Sequence, residues 1–260
     1  MRKTLLVFCG LILILAFQNC APTAVSSRSQ NQTQTAPCTP VSQTLTQDLR
    51  ILFLVDNSGS TKATDPHQYY RSQVLKIFLQ QYGNKQNLTY LYGFFSGTKA
   101  YFFDSAIGGF HSVGNLPFGP AVDLTTALNT FNLIPPSGNT PYKAALQLAT
   151  QSIQNDLQQG SKVKNYILIF MSDGEPTDVS NQPSLPGNLQ DLVQKAMALI
   201  QAAGGTLTLS TVYFNGANVA ADASNLQLMA QIGGGQFVNT NLNPNLTIND
   251  LITVPGQCPQ

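Results

Sequence analysis

The chain has 260 residues, of which 43% are hydrophobic and only 10% charged, with a formal net charge of +1. Globular chains usually carry about 25% charged residues, so Gln, Asn, Ser and Thr must supply most of the polar surface here. That balance excludes the basic stripe of a nucleic-acid groove and the lysine-rich patch of an electrostatic membrane binder.

The first element is a targeting segment. Arg2 and Lys3 precede an apolar run from Leu5 to Phe17, and Cys20 follows shortly after. The run falls short of the roughly 20 residues that span a bilayer, but it suits the apolar part of an export signal. The arrangement resembles a bacterial lipoprotein signal, in which this Cys is acylated and becomes the first residue of the mature chain. The residues before it, Phe17, Gln18 and Asn19, are larger than that pattern usually has. The alternative is an ordinary export signal with a chance Cys. Residues 1–19 are thus expected to be a signal and residues 20–48 a tether. The tether is rich in Ser, Thr, Gln, Asn, Ala and Pro, which bury too little apolar surface to offset the entropy of ordering. Residues 49–260 are expected to form one domain. Roughly 200 residues suffice for a single well-buried core and would crowd two. An exported chain meets an oxidising compartment, so Cys38 and Cys258, one before the domain and one at its end, are expected to form a disulfide; the alternative is two free thiols.

Within the domain, Ile51–Val55 is a short apolar run that ends in Asp56, and a helix is expected over 66–82. Leu88–Phe95 and Thr98–Phe103 are rich in aromatic and β-favouring residues around Ser96-Gly97, which predicts a hairpin. Gly108–Pro120 reads as an irregular loop. Tyr142, Leu146, Ala149, Ile153 and Leu157 mark one face of a helix starting at Pro141. Tyr166–Met171 is a continuous apolar run of the kind covered on both faces, and Thr206–Phe214 is another β-rich stretch. A helix between them carries Leu189, Leu192, Val193, Ala196, Leu199 and Ile200 and stops at Gly204-Gly205. A last helix is expected over 224–232, before three glycines. The alternation predicts an α/β fold: a doubly wound, mostly parallel sheet with helices on both faces and one antiparallel edge hairpin.

Three short stretches then fall at strand ends or helix starts. Asp56-Asn57-Ser58-Gly59-Ser60 follows the first strand. Ser137-Gly138-Asn139-Thr140-Pro141 precedes a helix. Met171-Ser172-Asp173-Gly174-Glu175, holding the chain's sole Glu, ends another strand. In a doubly wound sheet, that edge is where ligands bind. In this order the stretches resemble the metal-ion-dependent adhesion site of von Willebrand factor type A (vWA) domains, and the resemblance covers about Leu49 to Leu251. It implies a site made of Asp56, Ser58, Ser60, Thr140 and Asp173. All five offer oxygen, which suits Mg²⁺ first and Ca²⁺ or Mn²⁺ next, and disfavours metals that prefer soft ligands. A cation held largely by neutral hydroxyls keeps charge to attract a carboxylate from a protein partner. Taken singly, each stretch also reads as a turn or helix cap. Glu175 and Asp178 read as solvated loop acids, and His67 and His111 as residues without a metal-binding partner.

The expected function is an envelope-anchored binding module that docks on a partner's Asp or Glu, with no nucleic acid involved. The anchor would lie in the outer membrane if the cell has one. The alternatives are a scaffold subunit that does not use the metal, or a metal-assisted hydrolase with Glu175 as base. No His or Cys accompanies the cluster as a second catalytic group, which argues against the hydrolase.

Overall fold

The apolar runs form the middle of a sheet, and their alternate residues divide between its two faces. The structure, a computed structural model, describes residues 48–180, 185, 187–215 and 219–242. Cys20, Cys38 and Cys258 lie outside the described residues, and so do the signal and nearly all of the tether. In chain order the elements are β1 (Leu49–Asp56), α1 (Thr61–Thr64), α2 (Tyr69–Tyr82), β2 (Leu88–Ser96), β3 (Lys99–Asp104), β4 (Gly109–His111) and α3 (Ala121–Phe131). They continue with α4 (Tyr142–Gln158), β5 (Asn165–Ser172), α5 (Leu189–Ala202), β6 (Thr206–Tyr213), α6 (Ala220–Ile232) and β7 (Gly234–Asn239).

The strands form a seven-stranded sheet in the order β4-β3-β2-β1-β5-β6-β7. β1 runs parallel to β2 and β5, and β6 runs parallel to β5 and β7. Only β3 is antiparallel to its neighbours, β2 and β4. The fold is therefore the expected doubly wound α/β arrangement. The antiparallel edge is larger than a hairpin, because β4 lies in what reads as an irregular loop.

Residues of opposite parity on β1 show how the core splits. Ile51, Phe53 and Val55 pack with Val74, Leu75 and Phe78 of α2 and with Leu124, Leu128 and Phe131 of α3. Leu52 and Leu54 face the other way, into a core with Tyr142, Leu146 and Ile153 of α4, Val193 and Ile200 of α5, and Leu226 and Met229 of α6. Both faces are thus covered, as continuous apolar strands require. Helix boundaries differ modestly from expectation. α2 starts at Tyr69, after the separate short turn α1, α4 starts at Tyr142 with Pro141 as its cap, and α6 starts at Ala220.

The strand order reverses between β1 and β5, since β1 leads outward to β2 on one side while β5 leads to β6 on the other. A crevice opens outside the carboxyl ends of strands at such a point, and ligands bind there. Val55 pairs with Met171 in that register, so Asp56 and Ser172 emerge side by side.

Candidate metal centre

Asp56, the last residue of β1, is fully buried, as is Ser172 at the end of β5. The Ser172 hydroxyl donates to Asp56 Oδ2 at 2.5 Å, and the Ser58 amide donates to Asp56 Oδ1 at 2.7 Å. Ser58 Oγ and Ser60 Oγ lie 2.9 Å apart, and Ser60 Oγ donates to Asp173 Oδ1 at 3.0 Å. Thr64 Oγ1 donates to the second Asp173 oxygen. Asp56, Ser58, Ser60 and Asp173 therefore belong to one polar cluster.

Thr140 is placed by its backbone. Its N–H donates to Thr177 Oγ1 at 3.2 Å, and its carbonyl accepts from the Thr177 amide at 3.0 Å, which ties the second stretch to the third. Gly59 N–H donates to the Gly138 carbonyl at 2.8 Å and Ser137 N–H to the Asn57 carbonyl at 2.9 Å, which ties the second stretch to the first. Thr140 is buried, and among the described residues its hydroxyl enters no hydrogen bond.

Capping does not account for these hydroxyls. Ser60 precedes α1 but makes no side-chain cap, and its hydroxyl turns to Asp173 instead. The start of α4 is capped by Asp178, whose two oxygens accept from the amides of Lys143 at 2.9 Å and Ala144 at 3.0 Å. Asp178 is thus a helix cap rather than a free loop acid, favourably set against the amino-terminal end of the helix dipole.

Gly138 takes φ +68°, and a Cβ built there would stand 2.7 Å from the Gly97 Cα. The second stretch packs too closely on the β2–β3 turn to admit a side chain. Gly138→Ala is expected to destabilise the domain by roughly 1–3 kcal/mol, the usual range for a strained backbone position. A melting temperature equal to wild type would refute this.

Two carboxylates in one crevice repel. Burial, followed by the nearby charge of Asp173, pushes Asp56 up to about 7, against a smaller opposing effect of the hydrogen bonds from Ser172 and Ser58. Asp222, in the first turn of α6, is also raised, to about 6, first by burial and then by Glu175 and Asp173. Among the described residues no three His, Cys, Asp or Glu side chains converge as metal ligands. A cation here would draw on hydroxyl oxygens and two acids. That donor set fits a hard ion, and its positive charge would relieve the repulsion between Asp56 and Asp173.

Several side chains that support the cluster escaped sequence reading. Ser172 and Thr64 each grip one of the two acids. The fully buried Tyr142 donates its hydroxyl to the Gly174 carbonyl at 2.8 Å, and Asn215 donates to the Asp173 carbonyl at 2.8 Å. Of these only Ser172 left a signal, as a hydroxyl closing an otherwise apolar buried strand.

No family model matches the chain, and no curated protein matches it. Solved structures do. A von Willebrand factor type A protein from Catenulispora acidiphila aligns with TM-score 0.50 and 13% identity, over 74% of this chain and 38% of that one. The pilus adhesin SpaC from Lactobacillus rhamnosus GG aligns with TM-score 0.48 and 15% identity, over 76% of this chain and 29% of that one. Manganese-loaded TRAP protein from Plasmodium vivax aligns with TM-score 0.48 and 15% identity, over 76% of this chain and 70% of that one. This chain spans well under half the length of the first two. With its sheet order, two-faced core and crevice at the strand-order reversal, the described domain has the von Willebrand factor type A fold.

Proposed function

We propose that this domain is a surface-held binding module that docks on a protein partner through a divalent cation, Mg²⁺ before Ca²⁺ or Mn²⁺. The observation that carries this reading is the convergence of Ser58, Ser60, Asp56 and Asp173 at the carboxyl ends of β1 and β5, with the uncommitted Thr140 hydroxyl on the stretch tied to both. A hard cation at such a site supplies an electrophilic position for an outside carboxylate. The chain's own residues fix the two acids and present hydroxyl oxygens. Asp56 is fixed from both sides by Ser58 and Ser172, while Asp173 is held by Ser60 and Thr64. A dication held mainly by the neutral hydroxyls would keep enough positive charge to attract an Asp or Glu on the partner.

The module is proposed to act without catalysis, and to be held at the cell envelope by a lipid on Cys20 with a Cys38–Cys258 disulfide near its ends. Among the described residues no helix is long and apolar enough to cross a membrane. A hydrolytic role for Glu175 has little support, because that side chain is exposed and stands outside the hydrogen-bonded cluster.

The test combines stability with capture. A cation at tenfold excess over its Kd stabilises the folded state by about 1.4 kcal/mol. For a domain of this size that raises the melting temperature by roughly 3–6 °C. Chelator should reverse the rise, and envelope extract should yield a partner that binds with Mg²⁺ and elutes with chelator. No thermal response to Mg²⁺ or Mn²⁺, or capture indifferent to chelator, would overturn the reading.

A further inference from the structure

Among the described residues, Arg71 is the largest of the fully buried side chains, with no exposed surface. It lies in the first turn of α2, outside all three stretches that make the site, and every nitrogen of its guanidinium is engaged. Nε donates to Asp65 Oδ2 at 3.0 Å and Nη2 to the Asp65 carbonyl at 2.9 Å. Nη1 donates to Asn57 Oδ1 at 2.8 Å and to the Asp56 carbonyl at 3.3 Å. The Phe131 ring centroid is 5.8 Å from the guanidinium carbon. Asp65 is itself buried, and its carboxylate also accepts from the amides of Tyr70 and Arg71.

These contacts form a brace across the segment that carries Asp56, Ser58 and Ser60. Its two ends, Asp56-Asn57 and Asp65, are pinned to one planar cation. Asn57 passes the constraint on. It is buried, its carbonyl accepts from the Ser137 amide at 2.9 Å, and its side-chain amide reaches the carbonyls of Ile134 and Pro135 at 3.5 Å each. Those residues lead into the stretch that ends at Thr140. One guanidinium thus fixes the first stretch and, through Asn57, its distance from the second.

We propose that Arg71 is a positioning residue of the candidate metal centre, acting through Asn57 and Asp65 to hold the Ser58–Ser60 and Thr140 stretches at a fixed spacing before any cation arrives. The proposal rests on the docking function above for its purpose, but not for its test. A hydroxyl site gains little from each ligand, so its affinity depends on how little ordering the cation must impose. The fork of an Arg is suited to four acceptors in a plane, and a Lys ammonium is a single flexible point that cannot reach them together.

The test compares wild type with Arg71→Lys and with the double variant Asp65→Leu, Arg71→Met. The double variant removes both buried charges and leaves no orphan ion, so it is expected to endanger the fold less than a single truncation does. Hydrogen exchange is measured without divalent ion, and Mn²⁺ affinity by calorimetry well below the melting temperature. Both variants should exchange the amides of residues 57–62 and 137–140 at least about tenfold faster than wild type, while amides in β5 and β6 keep wild-type protection. Mn²⁺ affinity should fall by at least about tenfold, the range seen for residues that orient metal ligands. Wild-type protection and affinity in the double variant would overturn the proposal, since the ion pair would then only satisfy itself. Uniformly faster exchange across β1, β5 and β6 would also overturn it, as a purely global effect. A wild type that takes up no Mn²⁺ defeats the docking function, and the exchange pattern still decides the role of Arg71.

Discussion

Thr140→Val should fold as wild type does and lose its response to divalent cations. The exchange removes one hydroxyl and keeps the β-branched shape, and that hydroxyl supports no other part of the domain among the described residues. The backbone ties from Thr140 to Thr177 are untouched, so the crevice keeps its form. Asp173→Ala should share the loss. Truncating residues that merely orient metal ligands weakens binding by about 10–100-fold, and removing a ligand should do at least as much. The two variants should differ in stability. Asp173 helps to push up Asp56, so its removal relieves like-charge repulsion and should leave the cation-free protein as stable as wild type or more so above neutral pH. Calorimetry with Mg²⁺ and Mn²⁺ and thermal melts at pH 8 check both claims. Equal ion uptake by wild type and both variants would end the case for a metal centre at these residues.

Cation affinity should fall steeply below neutral pH. Asp56 stands at about 7 in the folded chain against an ordinary 3.8, with burial as the main cause. A raised carboxyl gives the cation-free fold stability that is complete below about 3.8 and lost as pH rises through about 7. Cation binding needs the deprotonated form, so it works in the opposite direction. One proton displaced per cation lowers apparent affinity toward about tenfold per pH unit well below the folded value, or roughly fiftyfold from pH 7 to pH 5. Titrations in buffers of different ionisation heat should count close to one proton released near pH 6. An affinity constant across pH 5–8 would show that Asp56 does not take part.

The sheet was legible in the sequence because its central strands are buried on both sides and read as unbroken apolar runs, as at Tyr166–Met171. α3 was not. Leu124, Ala127, Leu128 and Phe131 recur at helical spacing, but three Thr and a Val in eleven residues weaken the local signal. The helix stands because packing against α2 and the sheet decides the outcome, with Thr125, Thr126 and Thr130 turning their hydroxyls back onto carbonyls one turn earlier. β4 spans only Gly109–His111, too short to carry an alternation. At the site, the five oxygen-bearing residues could be read because each sits in a short local pattern. Thr64, Asn57 and Arg71 could not, because their roles depend on partners brought near by the fold, and Ser172 left only the signal of a hydroxyl closing an apolar strand. Ser172 and Asp56 are 116 residues apart in the chain.

That separation also determines when in folding the site can exist. β1 pairs with β2 soon after it in sequence, but the crevice closes only when β5 comes back to lie along the other side of β1. Pairing over such a span is among the slower and later events in forming a sheet. Until then Asp56 and Asp173 are on separate pieces of chain, and there is nothing for an ion to grip. Contacts absent from the barrier state act on the rate of leaving the native basin rather than the rate of reaching it. A bound cation would therefore lengthen the lifetime of the folded domain and leave its speed of formation unchanged. For the surface-held module proposed above, beyond the reach of ATP-driven refolding, that lifetime would be the quantity that matters.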